Sequence, residues 1–196
     1  TPVNVSVNQT SPDTFSTGGV AEFELPNPTV ALTGSATADA PHIVINLNTT
    51  GTTAVNVAYN VRDLDGSTDN AVQPVALHYR IGNTGNFTNL AAGFVADATD
   101  GPGTATLVTP VSVTLPAAAE NQPLVQLRIM TTNAVGNDEW VGIDDINITS
   151  GGNVNLSGVG AANPGSVNAG ASTLLTVAVT PATEPPSTGI TVAGDL

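Results

Sequence analysis

Ala54-Val55-Asn56-Val57-Ala58-Tyr59-Asn60-Val61 decides the fold class. Large apolar side chains fall on every second residue: Val55, Val57, Tyr59 and Val61. Small or polar residues fill the positions between them. A period of two places each set on its own face of an extended strand. Val, Tyr and Ile also fit the pleated, half-buried surface of a sheet.

The same alternation recurs along the chain. It predicts strands over Val3–Val7, Val20–Leu25, His42–Leu47, Ala54–Val61, Val75–Ile81 and Phe87–Leu90. It predicts further strands over Ala105–Leu115, Leu124–Thr131, Val141–Thr149, Val154–Val159, Ser172–Val179 and Gly189–Val192. Clusters such as Asn27-Pro28, Gly51, Asp65-Gly66 and Asp100-Gly101-Pro102-Gly103 separate them, as turn chemistry requires. No stretch sustains helical periodicity. Many short strands without helices predict an all-β sandwich or jelly roll.

The 196 residues divide at Ser150-Gly151-Gly152, a short joint. Residues 1–150 make the first sandwich. Residues 151–196 read as the opening of a second, of which only a few strands are written before Leu196. The first strand, with Val3, Val5 and Val7 on one face, reads either as the first strand of its own sandwich or as a spare strand at the other end.

Charged residues make up 10% of the chain, against roughly 25% in an average soluble protein. Lys is absent, and Arg62, Arg80 and Arg128 are the only Arg residues, so the net charge of −13 arises from missing bases. A chain without a basic footprint does not bind nucleic acid. No window approaches 18 apolar residues, so no membrane insertion is predicted. There is no Cys. A surface of Thr, Asn, Ser, Gly and Ala fits an extracellular or cell-surface bacterial protein. A start at Thr1, without Met, reads as a processed, mature product.

The run Leu127-Arg128-Ile129, followed by Asn137-Asp138-Glu139-Trp140-Val141-Gly142-Ile143-Asp144-Asp145-Ile146, resembles the closing strands of a jelly-roll family. That family recurs in secreted multidomain bacterial proteins, often beside extracellular nuclease or phosphatase-like domains. The Gly-Ile-Asp-Asp-Ile core is similar to the end of MAM domains of animal cell-surface proteins. The tail, from Pro164-Gly165-Ser166-Val167 to Pro185-Pro186-Ser187-Thr188-Gly189, resembles the opening of an Ig-like module found after such jelly rolls. The resemblance implies a jelly-roll β-sandwich, a partial Ig-like sandwich and a structural calcium near the acids of the first motif.

Asp138, Glu139, Asp144 and Asp145 lie within eight residues. Carboxylates at this density suit Ca²⁺, which takes 6–8 oxygen ligands. In regular strand geometry Asp144 and Asp145 point to opposite faces. The competing reading is a hydrogen bond from either Asp to a neighbouring loop. Asp63, Asp65 and Asp69 form a second possible metal cluster. Gly66 stands fourth from Asp63 and no Glu closes the loop, so an EF-hand is excluded and a turn competes. Asp97 and Asp100 read as loop residues. With two His and no Cys, a zinc site is not expected. Trp140 reads as a core anchor.

No nucleophile, base and orienting group can be named, so the chain reads as non-enzymatic. Two functions compete. One is an extracellular structural subunit that joins copies of itself head to tail by β-strand complementation, with Val3, Val5 and Val7 as donor strand and Ser172–Val179 as acceptor. The other is a non-catalytic adhesion or carbohydrate-binding module of a larger secreted protein, with surface polysaccharide as partner.

Overall fold

A computed structural model describes residues 5–134, 138–151, 157–181 and 191. The described residues form twelve strands: β1 (Val5–Gln9), β2 (Gly19–Phe23), β3 (Thr29–Thr33), β4 (His42–Leu47), β5 (Thr53–Asp63), β6 (Ala76–Ile81), β7 (Thr88–Asn89), β8 (Val108–Thr114), β9 (Val125–Met130), β10 (Val141–Gly151), β11 (Ser157–Asn163) and β12 (Leu174–Thr180). The remaining regular pieces are short 3-10 turns at Pro12–Thr14, Ala91–Gly93 and Ala117–Ala119. Among the described residues no helix is long and apolar enough to cross a membrane.

One sheet has six strands in the order β1-β2-β3-β10-β5-β8, and the other four in the order β4-β9-β6-β7. From β3 to β10 the chain passes back and forth between the sheets, giving β3-β10-β5-β8 against β4-β9-β6-β7. That is the strand order of an eight-stranded jelly roll. β1 and β2 extend the larger sheet beyond it. β11 and β12 form a separate two-stranded hairpin.

The alternation at residues 54–61 has the expected outcome. Val55, Val57, Tyr59 and Val61 are buried in the main core, facing Leu77 of β6 and Val125, Leu127 and Ile129 of β9. Complete burial of each such aliphatic side chain contributes about 1.5–3 kcal/mol. The Tyr59 hydroxyl is an exception, because it is buried without a hydrogen-bond partner. Burial also raises its pKa. Tyr59→Phe removes this orphan group while keeping the ring. It is expected to leave stability unchanged or raise it by about 1 kcal/mol, read as the urea midpoint. A loss above that size would reveal a partner for the hydroxyl.

Two sequence expectations need correction. No strand was expected between Leu25 and His42, yet Thr29–Thr33 is a strand buried at four of its five residues. Leu32 joins the main core, while its neighbour Ala31 joins a second, smaller core on the opposite face with Ala21, Phe23, Leu64 and Trp140. With residues buried on both faces, β3 shows no polar–apolar alternation. Second, the expected joint at Ser150-Gly151 begins inside β10, where Gly151 pairs with Thr53. Val3, most of the Gly189–Val192 segment and residues 152–156 lie outside the described residues.

Candidate functional site: an acidic end and an acid pair

The two acidic clusters of the sequence are regrouped by the fold. Asp144 and Asp145 stay together on the outer face of the six-stranded sheet. Asp144 Oδ2 accepts from Arg62 Nη1 at 2.7 Å and from Asn27 Nδ2 at 2.8 Å. Asp145 Oδ2 accepts from Asn60 Nδ2 at 2.8 Å. Asn60 and Arg62 lie on the same face of β5, so both Asp side chains reach one face rather than two. The reason is a break in the register of β10 between Asp144 and Asn147, with Asp145 at φ 52°. A bulge adds a residue and re-aims the side chains around it. The oxygens of this pair serve the Arg62 guanidinium and the Asn60 amide on β5, and the Asn27 amide in the turn before β3.

Asp138 and Glu139 part company. Asp138 Oδ1 accepts from Ala134 N at 2.6 Å, and the Asn133 amide, turned to donate, reaches Asp138 Oδ2 at 2.9 Å. Asp138 and Asp69 stand on the wall of a cleft of about 350 Å³ floored by Phe15 and Trp140. Glu139 turns inward and is 1% exposed. Its Oε1 accepts from Ala71 N at 2.7 Å, and its own N–H donates to Gln73 Oε1 at 3.3 Å. Its Oε2 is buried and has no hydrogen-bond partner. The nearby Thr99 hydroxyl aims its proton at Asp97 Oδ1 or Ala71 O, 3.0 Å from each.

Glu139 instead joins the Asp63 cluster. Burial raises its pKa, and the charges of Asp65 and Asp69 raise it further. Burial likewise raises Asp65, with Asp13 and Asp69 adding repulsion. Asp63 is 4% exposed, and burial pushes its carboxyl up to about 7. Five acids from three chain segments therefore sense one another. Asp13 was not anticipated from the sequence. It reaches the group because the Pro12–Thr14 turn folds over the sheet, where Asp13 Oδ1 accepts from Gly66 N at 2.9 Å.

Turn chemistry accounts for much of the Asp63–Asp69 loop. Asp63 Oδ1 accepts from Asp65 N at 3.1 Å, Asp65 Oδ1 from Ser67 N at 3.0 Å, and Asp69 Oδ1 from the Ser67 hydroxyl. Asp63 also faces Asp100, whose N–H donates to Asp63 Oδ2 at 2.7 Å. The two carboxyls share a hydrogen bond that raises Asp63 and lowers Asp100. The Thr106 hydroxyl, at 2.7 Å, is the main cause of the low Asp100 value, aided by the N–H groups of Leu107 and Thr106. The proton thus stays on the buried Asp63 and the charge on the solvated Asp100. Asp100, read as a plain loop residue, is half of this pair.

Trp140 is the expected core anchor. It is 2% exposed, donates from Nε1 to Phe15 O at 2.7 Å, stacks on Phe15 at 5.6 Å and meets Phe23 edge-on at 5.1 Å. Among the described residues no three acids converge on one point as a metal cage would. Comparison of the chain with protein-family models and with curated proteins finds no match.

Proposed function

We propose that this chain is an extracellular, non-catalytic structural subunit that joins copies of itself head to tail by β-strand addition. The observation that carries the reading is the edge of the larger sheet. β1 pairs with β2 in parallel and forms that edge, with Val5 58% and Val7 62% exposed. The facing sheet is two strands narrower, so the β1 edge overhangs it. Edge strands are ordinarily blunted with charge, Lys or Pro, and Val5–Gln9 carries none of these. At the other end, the β11–β12 hairpin exposes Val159, Leu174, Leu175 and Val177. A two-stranded hairpin is marginal alone and gains from added strands. Pairing β1 of one copy with this hairpin in the next is a heterologous contact. Such contacts build filaments unless the rotation closes a ring. The nearest approach to an acid–base pair, Asp63 with Asp100, is engaged by backbone amides, which favours a structural role.

Calcium belongs to the same proposal, placed at the Asp63–Glu139 end rather than at Asp144 and Asp145. Support comes from the crowding of hard oxygen donors and from the orphaned Glu139 Oε2, which a cation would satisfy. The acids alone do not form a cage, so backbone carbonyls and water would complete the 6–8 oxygens of such an ion.

The assembly is tested with the double variant Val5→Lys, Val7→Lys. Both positions are exposed, so thermal stability should change by less than about 0.5 kcal/mol. Sedimentation and electron microscopy should show filaments for the unaltered chain and monomers for the variant. Equal polymerisation by both, or a wild-type monomer at every concentration, would remove the proposal.

A further inference from the structure

The four-stranded sheet is segregated in charge. Its strands β4, β6, β7 and β9 hold both His residues and two of the three Arg residues, and none of the sixteen acids. His78 and Arg80 of β6 alternate with the inward Leu77 and Tyr79, and Arg128 of β9 with the inward Leu127 and Ile129. His78 is paired with Arg128 across the strands, and Arg80 with Gln126. All four therefore face outward together.

Among the described residues neither Arg80 nor Arg128 forms an ion pair. The ion pair among the described residues is the one between Arg62 and Asp144, on the other sheet. Arg80 and Arg128 instead both approach the Phe87 ring, at 4.4 and 4.2 Å from its centroid. Arg80 is held by Gln126 Oε1 at 2.7 Å and Gly85 O at 2.9 Å, and Gln126 in turn donates to Asn46 at 2.8 Å. Arg128 Nε and His78 Nδ1 are buried and lack any hydrogen-bond partner. Two like charges beside one ring repel, and a guanidinium with an unused donor is a costly group to hold. An anion on this face offsets the repulsion between the two guanidinium groups. The planar guanidinium fork matches a carboxylate or sulfate.

We propose that the outer face of the four-stranded sheet binds an acidic polysaccharide, whose carboxylate or sulfate groups seat on Arg128 and Arg80. The composition of the face favours a glycan over a protein. Protein partners anchor large apolar side chains in desolvated pockets. Here the surroundings are polar, with the Asn46, Gln126 and Asn89 amides suited to sugar hydroxyls and only Val44 as an exposed apolar neighbour in the Arg128 row. The net charge of −13 is no barrier, because salt limits the field of distant acids to about 8 Å under physiological conditions.

The test titrates the full chain with oligogalacturonate, dextran sulfate and uncharged dextran. The expected result is binding to one or both acidic polymers, weakened by salt, with none to dextran; the acidic arms distinguish carboxylate from sulfate. Arg80→Gln and Arg128→Gln should each weaken binding by about tenfold or more. The Nε–H resonance of Arg128 in the unaltered chain should shift on addition of the bound polymer, which covers the case of a variant that misfolds. No binding to either acidic polymer, binding retained by both variants, or an unshifted resonance would overturn the site. Sedimentation without polysaccharide checks the competing occupant. If the Arg variants dissolve an oligomer, the anion is a carboxylate of a second copy and the glycan assignment fails.

Discussion

Trp140→Ala is expected to cost about 4 kcal/mol of folding stability. The smaller core has Trp140 at its centre, with Phe15 and Phe23 as ring partners and Ala21, Ala31 and Leu64 around them. Truncation opens a large void between the strap formed by residues 10–18 and the outer face of β2 and β3. It also strips the Phe15 carbonyl of its indole donor. Phe15 is tied to the sheet mainly through this ring, so the strap should loosen and carry Asp13 away from Gly66. Urea unfolding followed by circular dichroism measures the loss, with an unchanged denaturant slope showing that the native state stays compact. A cost below about 1 kcal/mol would mean that the smaller core is not closed by Trp140.

Raising the pH from 5 to 8 is expected to destabilise the protein, against the usual behaviour of carboxylates. Burial lifts Asp63 from an ordinary 3.8 to about 7, and lifts Glu139 in the same direction. Between the unfolded and folded values the native state binds more protons than the unfolded chain. Stability therefore falls as pH rises through that window and levels off above the folded value. Asp100 acts in the opposite sense, but its lowered pKa confines its effect to pH below about 4. The drop should be about 2 kcal/mol, after allowance for the hydrogen bonds that already soften the Asp63 charge. Asp63→Asn should flatten the profile. Calcium should raise the melting temperature at pH 8, where the carboxylates are bare, and much less at pH 5, where protons occupy them. A melting temperature that is level from pH 5 to 8 and indifferent to calcium would refute both the buried charge and the cation.

Much of this architecture was legible because a two-sided strand writes its two faces into alternate residues. β4 (His42–Leu47) matches its predicted bounds, and β5, β9 and β10 fall within two residues of theirs. β3 was illegible because residues on both its faces are buried and its one exposed position, Val30, is itself apolar. The site was legible as residue types but not as a constellation. Asp138 and Glu139 are neighbours in the chain and diverge in space, since adjacent side chains of extended backbone point apart. Glu139 instead meets Asp63, Asp65 and Asp69, a pairing set by the β5–β10 register, in which Val141 lies opposite Asp63. Asp145 escaped the alternation rule because a single left-handed residue resets the phase of its strand.

The position of β10 governs when this molecule can fold. It is the last strand of the jelly roll in the chain, yet it lies in the middle of the larger sheet, between β3 and β5. The Thr29 hydroxyl bonds the Ile143 carbonyl across a separation of 114 residues. Neither neighbour can complete its ladder until residues 141–151 arrive, so until then the larger sheet is split into β1-β2-β3 and β5-β8. Contacts of such long range make folding slow, because the loop entropy is lost before the contacts are gained. A chain emerging N-terminus first thus joins the two pieces of its larger sheet only when its last jelly-roll strand appears.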